Sequence, residues 1–228
     1  MALSDLFDLL GPEIEDPEEG ESKWAAHVLE LGCGISGLVG LVLSPLVSRY
    51  VLTDQVYVAR LVEKNLEENL VVSQQRNSSQ KRKGKPPSTA NPVNLRFTTL
   101  DWELDEVTSS SLTGSSQDVV TSLDAVIACD CIYNETLIEP LVQTCADACG
   151  LRQRSIQNHE AAATSPAPAL CIVAQQLRDP EIFEGWIKAF SRRFRVWRVP
   201  EEALSEELRA NTGFVVHIGV LKNDAAGP

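Results

Sequence analysis

At 228 residues the chain is long enough for one α/β domain with a substantial buried core and too short for two domains of ordinary size. Its 43% hydrophobic and 23% charged residues are those of a folded globular protein, and it has no apolar run of about 18 residues that could cross a bilayer as a helix. The net charge of −12 favours basic partners over phosphate backbones at long range, so a basic protein is expected as partner and direct nucleic-acid binding is not.

Eight acids and no base fall between Met1 and Ser22, so residues 1–26 are expected to form a solvated, disordered acidic arm. The absence of basic residues from Met1 to Leu10 is wrong for a signal or transit peptide, which implies a cytoplasmic home with the nucleus as the alternative. Residues 27–221 are expected to make one monomeric domain and 222–228 a tail. Val28 to Leu31 reads as a first buried strand ending at Gly32, followed by a helix over Leu38 to Val47 and a second strand at Tyr50 to Thr53. Beyond it Val58, Leu61, Val62, Leu66 and Leu70 form a helical stripe, with Glu63, Lys64, Glu67 and Glu68 facing water.

Ser73 to Pro92, rich in Gln, Ser, Lys, Asn and Pro, reads as an exposed insertion (about 73–92). Its cluster Lys81, Arg82, Lys83 and Lys85 has two readings, a nuclear-import or RNA-contacting patch and a plain solvated loop. Leu95 to Leu100 is a third strand, and Leu123 to Cys129 a fourth, nearly all apolar and therefore central. Leu137, Ile138, Leu141, Val142, Cys145 and Cys149 mark a helix, a second polar insertion covers about 152–168, and Leu170 to Ala174 is a fifth strand. Asp179 followed by Pro180 is a helix start, with an N-cap acceptor and a proline at the first helical position. Phe194 to Val199 and Phe214 to Leu221 close the pattern as two strands. Apolar runs alternating with helical stripes predict an α/β fold with a mostly parallel sheet and helices on both faces. The six cysteines lie mostly within apolar runs and read as packed reduced thiols, their spacings matching no structural zinc site; no metal is expected.

Three motifs carry chemistry. Val28-Leu29-Glu30-Leu31-Gly32-Cys33-Gly34-Ile35-Ser36-Gly37 is a strand running into a glycine-rich turn and a helix, where the backbone can approach a ligand at the carboxyl edge of a sheet. Read as Gly32-x-Gly34-x-x-Gly37 it also satisfies the dinucleotide fingerprint, and Asp54 after the second strand could hold a ribose in either case. Glu30 favours a ligand bearing an ammonium and a sulfonium over a pyrophosphate, which a carboxylate repels; its bland reading is a carboxylate that caps nearby amides. The second motif, Leu100-Asp101-Trp102, puts an acid that can accept from an adenine beside an indole that can stack on it, or else simply covers the core edge with a tryptophan. The third, Ala128-Cys129-Asp130-Cys131-Ile132-Tyr133, sets Asp130 and Tyr133 at the mouth of the sheet, where an ionisable residue ending an apolar strand is a site candidate.

Taken together, the Glu30-to-Gly37 turn, Asp54, the Asp101-Trp102 pair and Asp130-x-x-Tyr133 resemble the seven-strand protein-lysine methyltransferases called methyltransferase-like family 16. Thr53-Asp54-Gln55-x-Tyr57-Val58 and Ile127 to Asn134 are closer still to that family's fungal ribosomal branch. The resemblance implies a Rossmann-like seven-strand sheet with an antiparallel last strand, S-adenosylmethionine as cofactor, and a lysine of a large-subunit ribosomal protein as substrate. It further implies that Gly32, Cys33 and Gly34 contact the methionine end of the cofactor, Asp54 its ribose and Trp102 its adenine. Cys129 lines the pocket where the family often has alanine, Asp130 orients the lysine amine or accepts its proton through water, and Tyr133 walls the lysine channel. The resemblance departs at the front end, where the family usually carries further strands and a tryptophan covering the cofactor. Trp24 is the candidate substitute, and the short front implies an abbreviated chain or a weakened enzyme. Three rivals stay open at this level: a nucleic-acid amino-methyltransferase, since Asp-x-x-Tyr resembles Asp-Pro-Pro-Tyr, an NAD-dependent oxidoreductase, and an inactive cofactor-binding scaffold.

Overall fold

The computed structural model describes residues 13–15, 22–80, 94–112, 122–157, 167–209 and 212–222. Its strands are β1 (Glu13–Glu15), β2 (Ser22–Leu31), β3 (Val47–Asp54), β4 (Leu95–Thr99), β5 (Ala125–Cys129), β6 (Leu170–Gln176), β7 (Phe194–Arg198) and β8 (Phe214–Leu221). They form one sheet in the order β4-β3-β2-β5-β6-β8-β7, with β1 paired antiparallel to β2 off this path. The pairs β3–β4, β2–β3, β2–β5 and β5–β6 are parallel, whereas β8 runs antiparallel to both β6 and β7. The mostly parallel seven-strand sheet with an antiparallel last strand is therefore present, with β1 added.

Strand alternation divides the core between the two faces of this sheet. Leu29, Leu31, Val51, Val126, Ala128, Cys171 and Val173 pack on one face with residues of α3 (Ile138–Gln157) and α4 (Pro180–Arg193). Val28, Tyr50, Leu52, Ala125 and Ile127 pack on the other with Val62 and Leu66 of α2 (Ala59–Gln80), and residues of α1 (Leu38–Leu43) lie against them. On the first face Trp186 stacks on Phe190 at 5.0 Å between ring centroids, and Phe190 on Phe194 at 4.3 Å. Asp179 caps α4 as its sequence indicates, accepting from the amides of Glu181 and Ile182 at 2.9 and 3.2 Å.

The chain order reverses beside β2, since β3 and β4 extend to one side of it and β5 and β6 to the other. The segments leaving the carboxyl ends of β2 and β5 thus part in opposite directions, which opens a crevice between them.

Element lengths depart from expectation where polar sequence hides regular structure. α1 stops at Leu43 and a tight turn over Ser44–Leu46 follows, because Pro45 lacks the amide an α-helix needs. α2 runs on to Gln80, into the stretch read as an insertion, whose first glycine and proline come only at Gly84 and Pro86. The basic cluster at 81–85 lies outside the described residues. β2 begins at Ser22, so Trp24 and Ala26 are part of the sheet. Among the described residues no helix is long and apolar enough to cross a membrane.

The largest departure is at Arg152, expected in a loop but carried on α3 and 2% exposed. Its Nη1 pairs with Asp124 Oδ1 at 2.5 Å and donates to Ser122 Oγ at 3.0 Å, while Nε donates to the Ala167 carbonyl at 3.0 Å. Asp124 Oδ2 accepts from the His27 amide at 2.8 Å, so one buried charge pair ties α3 to β2 and to the residues flanking β5 and β6. Removing one partner of such a pair strands the other charge in the interior. Arg152→Ala is expected to lower unfolding stability by about 3–5 kcal/mol in urea titrations, whereas an exposed loop arginine would change it by under about 0.5 kcal/mol.

Candidate functional site

β2 ends at Leu31, and the chain turns through Gly32 and Gly34 with φ of 68° and 62°, a region that side chains rarely adopt. A β-carbon at Gly32 would lie 2.7 Å from Cys131 Sγ and 3.1 Å from a ring carbon of Trp102, whereas one at Gly34 would meet nothing within 4 Å. Gly32 is thus where the exits of β2 and β5 and the indole close together, and Gly34 faces open space. The turn is tied to β3: the Cys33 amide donates to the Thr53 carbonyl at 3.0 Å and the Gly34 amide to Asp54 Oδ2 at 2.8 Å. Asp54 Oδ1 accepts from the Gln55 amide at 2.7 Å.

Trp102 follows β4 in a turn braced by Asp101, whose Oδ1 accepts from the Glu103 amide at 2.9 Å. Its buried Nε1 has no acceptor among the described residues. Asp130, directly after β5, is held at φ 59°, a conformation that Asp tolerates better than most residues but that still costs on the order of 1 kcal/mol. The restraint comes from β6: the Asp130 amide donates to the Ala174 carbonyl at 2.8 Å, and Oδ1 accepts from Gln175 Nε2 at 3.1 Å. The buried Gln175 also accepts from the Ile132 amide at 3.0 Å and donates to the Ile132 carbonyl at 3.1 Å, which clamps the segment leading to Tyr133. Asp130 Oδ2 forms an ion pair with Arg178.

These segments surround a cavity of about 550 Å³ at the carboxyl edge of the sheet. Eight of the residues singled out by sequence line it: Gly32, Cys33, Gly34, Asp54, Trp102, Cys129, Asp130 and Tyr133. Glu30 and Asp101 do not. Glu30 is 2% exposed and lies with Val28 on the side of the sheet covered by α1, where it accepts from the Tyr50 hydroxyl at 2.7 Å and from the Gly40 amide. Glu30 is therefore set back from the cavity lining, and its bond from the Gly40 amide matches the amide-capping alternative. Trp24 is set back too, since it pairs with Val47 at the far end of β2, roughly 25 Å of strand away from the turn. Sequence reasoning missed Tyr57, Glu103, Cys131 and Asn134 in the lining, and Gln175 and Arg178 behind Asp130. Gln175 and Arg178 carry no signal in the sequence, since a non-ionisable strand end and an exposed arginine gain their meaning only when β6 lies beside β5.

Among the described residues the lining carries Asp54, Glu103 and Asp130 and no Lys, Arg or His, so its fixed charge is negative. Burial, and then the charges of Glu30 and Asp54, push the Cys33 thiol up to about 12. Burial with the charges of Glu30 and Asp130 pushes Cys129 up to about 11, and Cys131 is raised chiefly by burial. None of the three is a thiolate nucleophile near neutral pH. Tyr133 and Tyr57 stand at the mouth, 61% and 77% exposed, and the Tyr133 hydroxyl is raised by partial burial and by neighbouring acidic groups.

Burial raises Glu30 itself from the usual 4.5 to about 7, against the lowering effect of the Tyr50 and Gly40 hydrogen bonds. The folded state therefore binds this proton more tightly than the unfolded chain does. The stability it confers is complete below about 4.5 and is lost as pH rises through about 7, an effect on the order of 3 kcal/mol. Glu30→Gln is expected to gain stability relative to wild type as pH rises across that window, read as the difference between their urea midpoints; a constant difference would show that Glu30 is ionised throughout.

The comparisons with known proteins agree with the resemblance read from the residues. Residues 9–83, which include the glycine turn and Asp54, match the model of a family described as lysine methyltransferase. Ribosomal lysine N-methyltransferase 5 of Zygosaccharomyces rouxii is 32% identical over 168 residues, covering 71% of this chain and 49% of that protein. The protein of the same name from Lachancea thermotolerans is 26% identical over 193 residues, covering 82% of this chain and 55% of that protein. The chain thus spans about half the length of the curated relatives it matches. Among solved structures, the N-methyltransferase NodS of Bradyrhizobium japonicum aligns with a TM-score of 0.47 at 11% identity, over 88% of this chain and 80% of that one.

Proposed function

We propose that this chain is an S-adenosylmethionine-dependent methyltransferase acting on a lysine side chain of a basic protein, a large-subunit ribosomal protein in view of the relatives' names. The observation that carries the reading is the sign of the cavity: among the described residues, three carboxylates and no cationic side chain line it. An acidic, partly enclosed site attracts a sulfonium, an ammonium and a lysine, and repels a diphosphate. That argues against a nicotinamide dinucleotide despite the matching glycine spacing, and against a phosphate-rich nucleic acid as substrate.

S-adenosylmethionine, when bound, supplies an activated methyl group on a positively charged sulfur. In this reading the Gly32–Gly34 turn lies under its amino-acid end, where the absent side chain at Gly34 leaves room, Asp54 accepts from its ribose and Trp102 borders its adenine. Cys33 and Cys129 line the same space as neutral thiols that do not compete for the methyl group.

The remaining work falls to Asp130 and the tyrosines. A lysine amine has a pKa of about 10.4, so the neutral nucleophile costs roughly 4 kcal/mol near pH 7.4. Asp130, fixed by Gln175, draws the ammonium to the mouth and accepts its proton through water, while the Tyr57 and Tyr133 rings shed water from the amine and so disfavour its charged form. A flexible carboxylate would attract the same cation without aligning it.

The test is transfer of labelled methyl groups to ribosomal fractions, with the product located by mass spectrometry. Label is expected on a protein lysine, and Asp130→Asn, which tolerates the same backbone conformation, is expected to lose at least about 100-fold in rate while still taking up S-adenosylhomocysteine. Label on nucleic acid would replace the substrate assignment, and full turnover by the variant would remove Asp130 from the reaction.

A further inference from the structure

Asp130 lines the cavity, yet its charge is already answered from outside by Arg178, which is not among the lining residues. Arg178 lies between β6 and α4, and the two side chains are 52% and 41% exposed, so the pair can exchange with solvent. The two oxygens of Asp130 have separate partners. Oδ1 accepts from the buried Gln175 at 3.1 Å and from the Gln176 amide at 3.4 Å, whereas Oδ2 pairs with Arg178. The hydrogen bonds from β6 hold the carboxylate in place, so the guanidinium contributes charge to Asp130 more than position.

We propose that Arg178 is an internal stand-in for the substrate cation: it neutralises Asp130 in the free protein and is displaced by the incoming ammonium. The inference rests on the methyltransferase reading of the cavity and adds a residue that determines specificity. A weakly basic or uncharged ligand does not compete with a guanidinium for Oδ2. An extended cationic side chain that also enters the cavity does. A half-exposed ion pair changes an equilibrium by a few-fold, enough to tune substrate affinity without blocking the site.

The test measures binding of a ten-residue peptide of alternating lysine and glycine by calorimetry, at low salt and with saturating S-adenosylhomocysteine. Arg178→Ala is expected to bind the peptide about two- to fivefold more tightly than wild type, and Arg178→Lys to stay near wild type. The gain is expected to shrink at about 0.5 M salt, where charges are screened within a few ångströms, and to vanish in an Asp130→Asn background. Unchanged or weaker binding by Arg178→Ala, or a gain that persists without the Asp130 charge, would overturn the stand-in role while leaving the cavity reading intact. Failure of wild type to take up S-adenosylhomocysteine would instead bring down that reading and the inference with it.

Discussion

A hydrogen atom where other residues carry a β-carbon is what allows three chain segments to leave the sheet at one point. Gly32 lies against Cys131 Sγ from the exit of β5 and the Trp102 ring from the exit of β4, and a methyl group there would overlap the sulfur. Displacing that sulfur would move Cys131, which sits between Asp130 and the clamped Ile132. The positions of the proposed amine-binding carboxylate and of the aromatic wall therefore both depend on the empty side of one glycine. The strand order supplies the crevice, and this contact gives it a floor.

Electrostatics then decide what the crevice suits. Acids line it, Arg178 from outside the lining pairs with Asp130, and Glu30 is buried on the α1 side of β2 with its pKa raised to about 7. Glu30 acts at a distance: with Asp54 it helps to hold the Cys33 thiol protonated. A site with neutral thiols, fixed carboxylates and tyrosine rings at its mouth has the means to gather a cation and align it, and no side chain poised for nucleophilic attack of its own. A transfer in which both partners arrive with their chemistry, one as donor and one as amine, fits that inventory.

Much of this was legible in the sequence, because buried strands and glycine turns are local signals. The first through seventh strands expected from apolar runs all appear, and the Asp179-Pro180 start of α4 caps as its chemistry requires. What escaped depends on contacts between distant segments. Arg152 sits in a polar stretch that reads as loop, and only its packing onto Asp124, 28 residues earlier, makes it interior. At Glu30 two local signals compete: it stands two residues before the glycine turn, but period-two alternation puts it with Val28, facing α1 and Tyr50. Arg178 and Gln175 escaped because their meaning comes from β6 lying beside β5, which no run of residues announces.

On the methyltransferase reading the cavity is shaped and charged for a sulfonium instead of a diphosphate. Calorimetric titration of the same protein with S-adenosylmethionine and with NAD, under identical buffer and salt, addresses it most directly. Saturable uptake of the first and none of the second is expected; saturable uptake of NAD with none of S-adenosylmethionine would show a site built for a diphosphate.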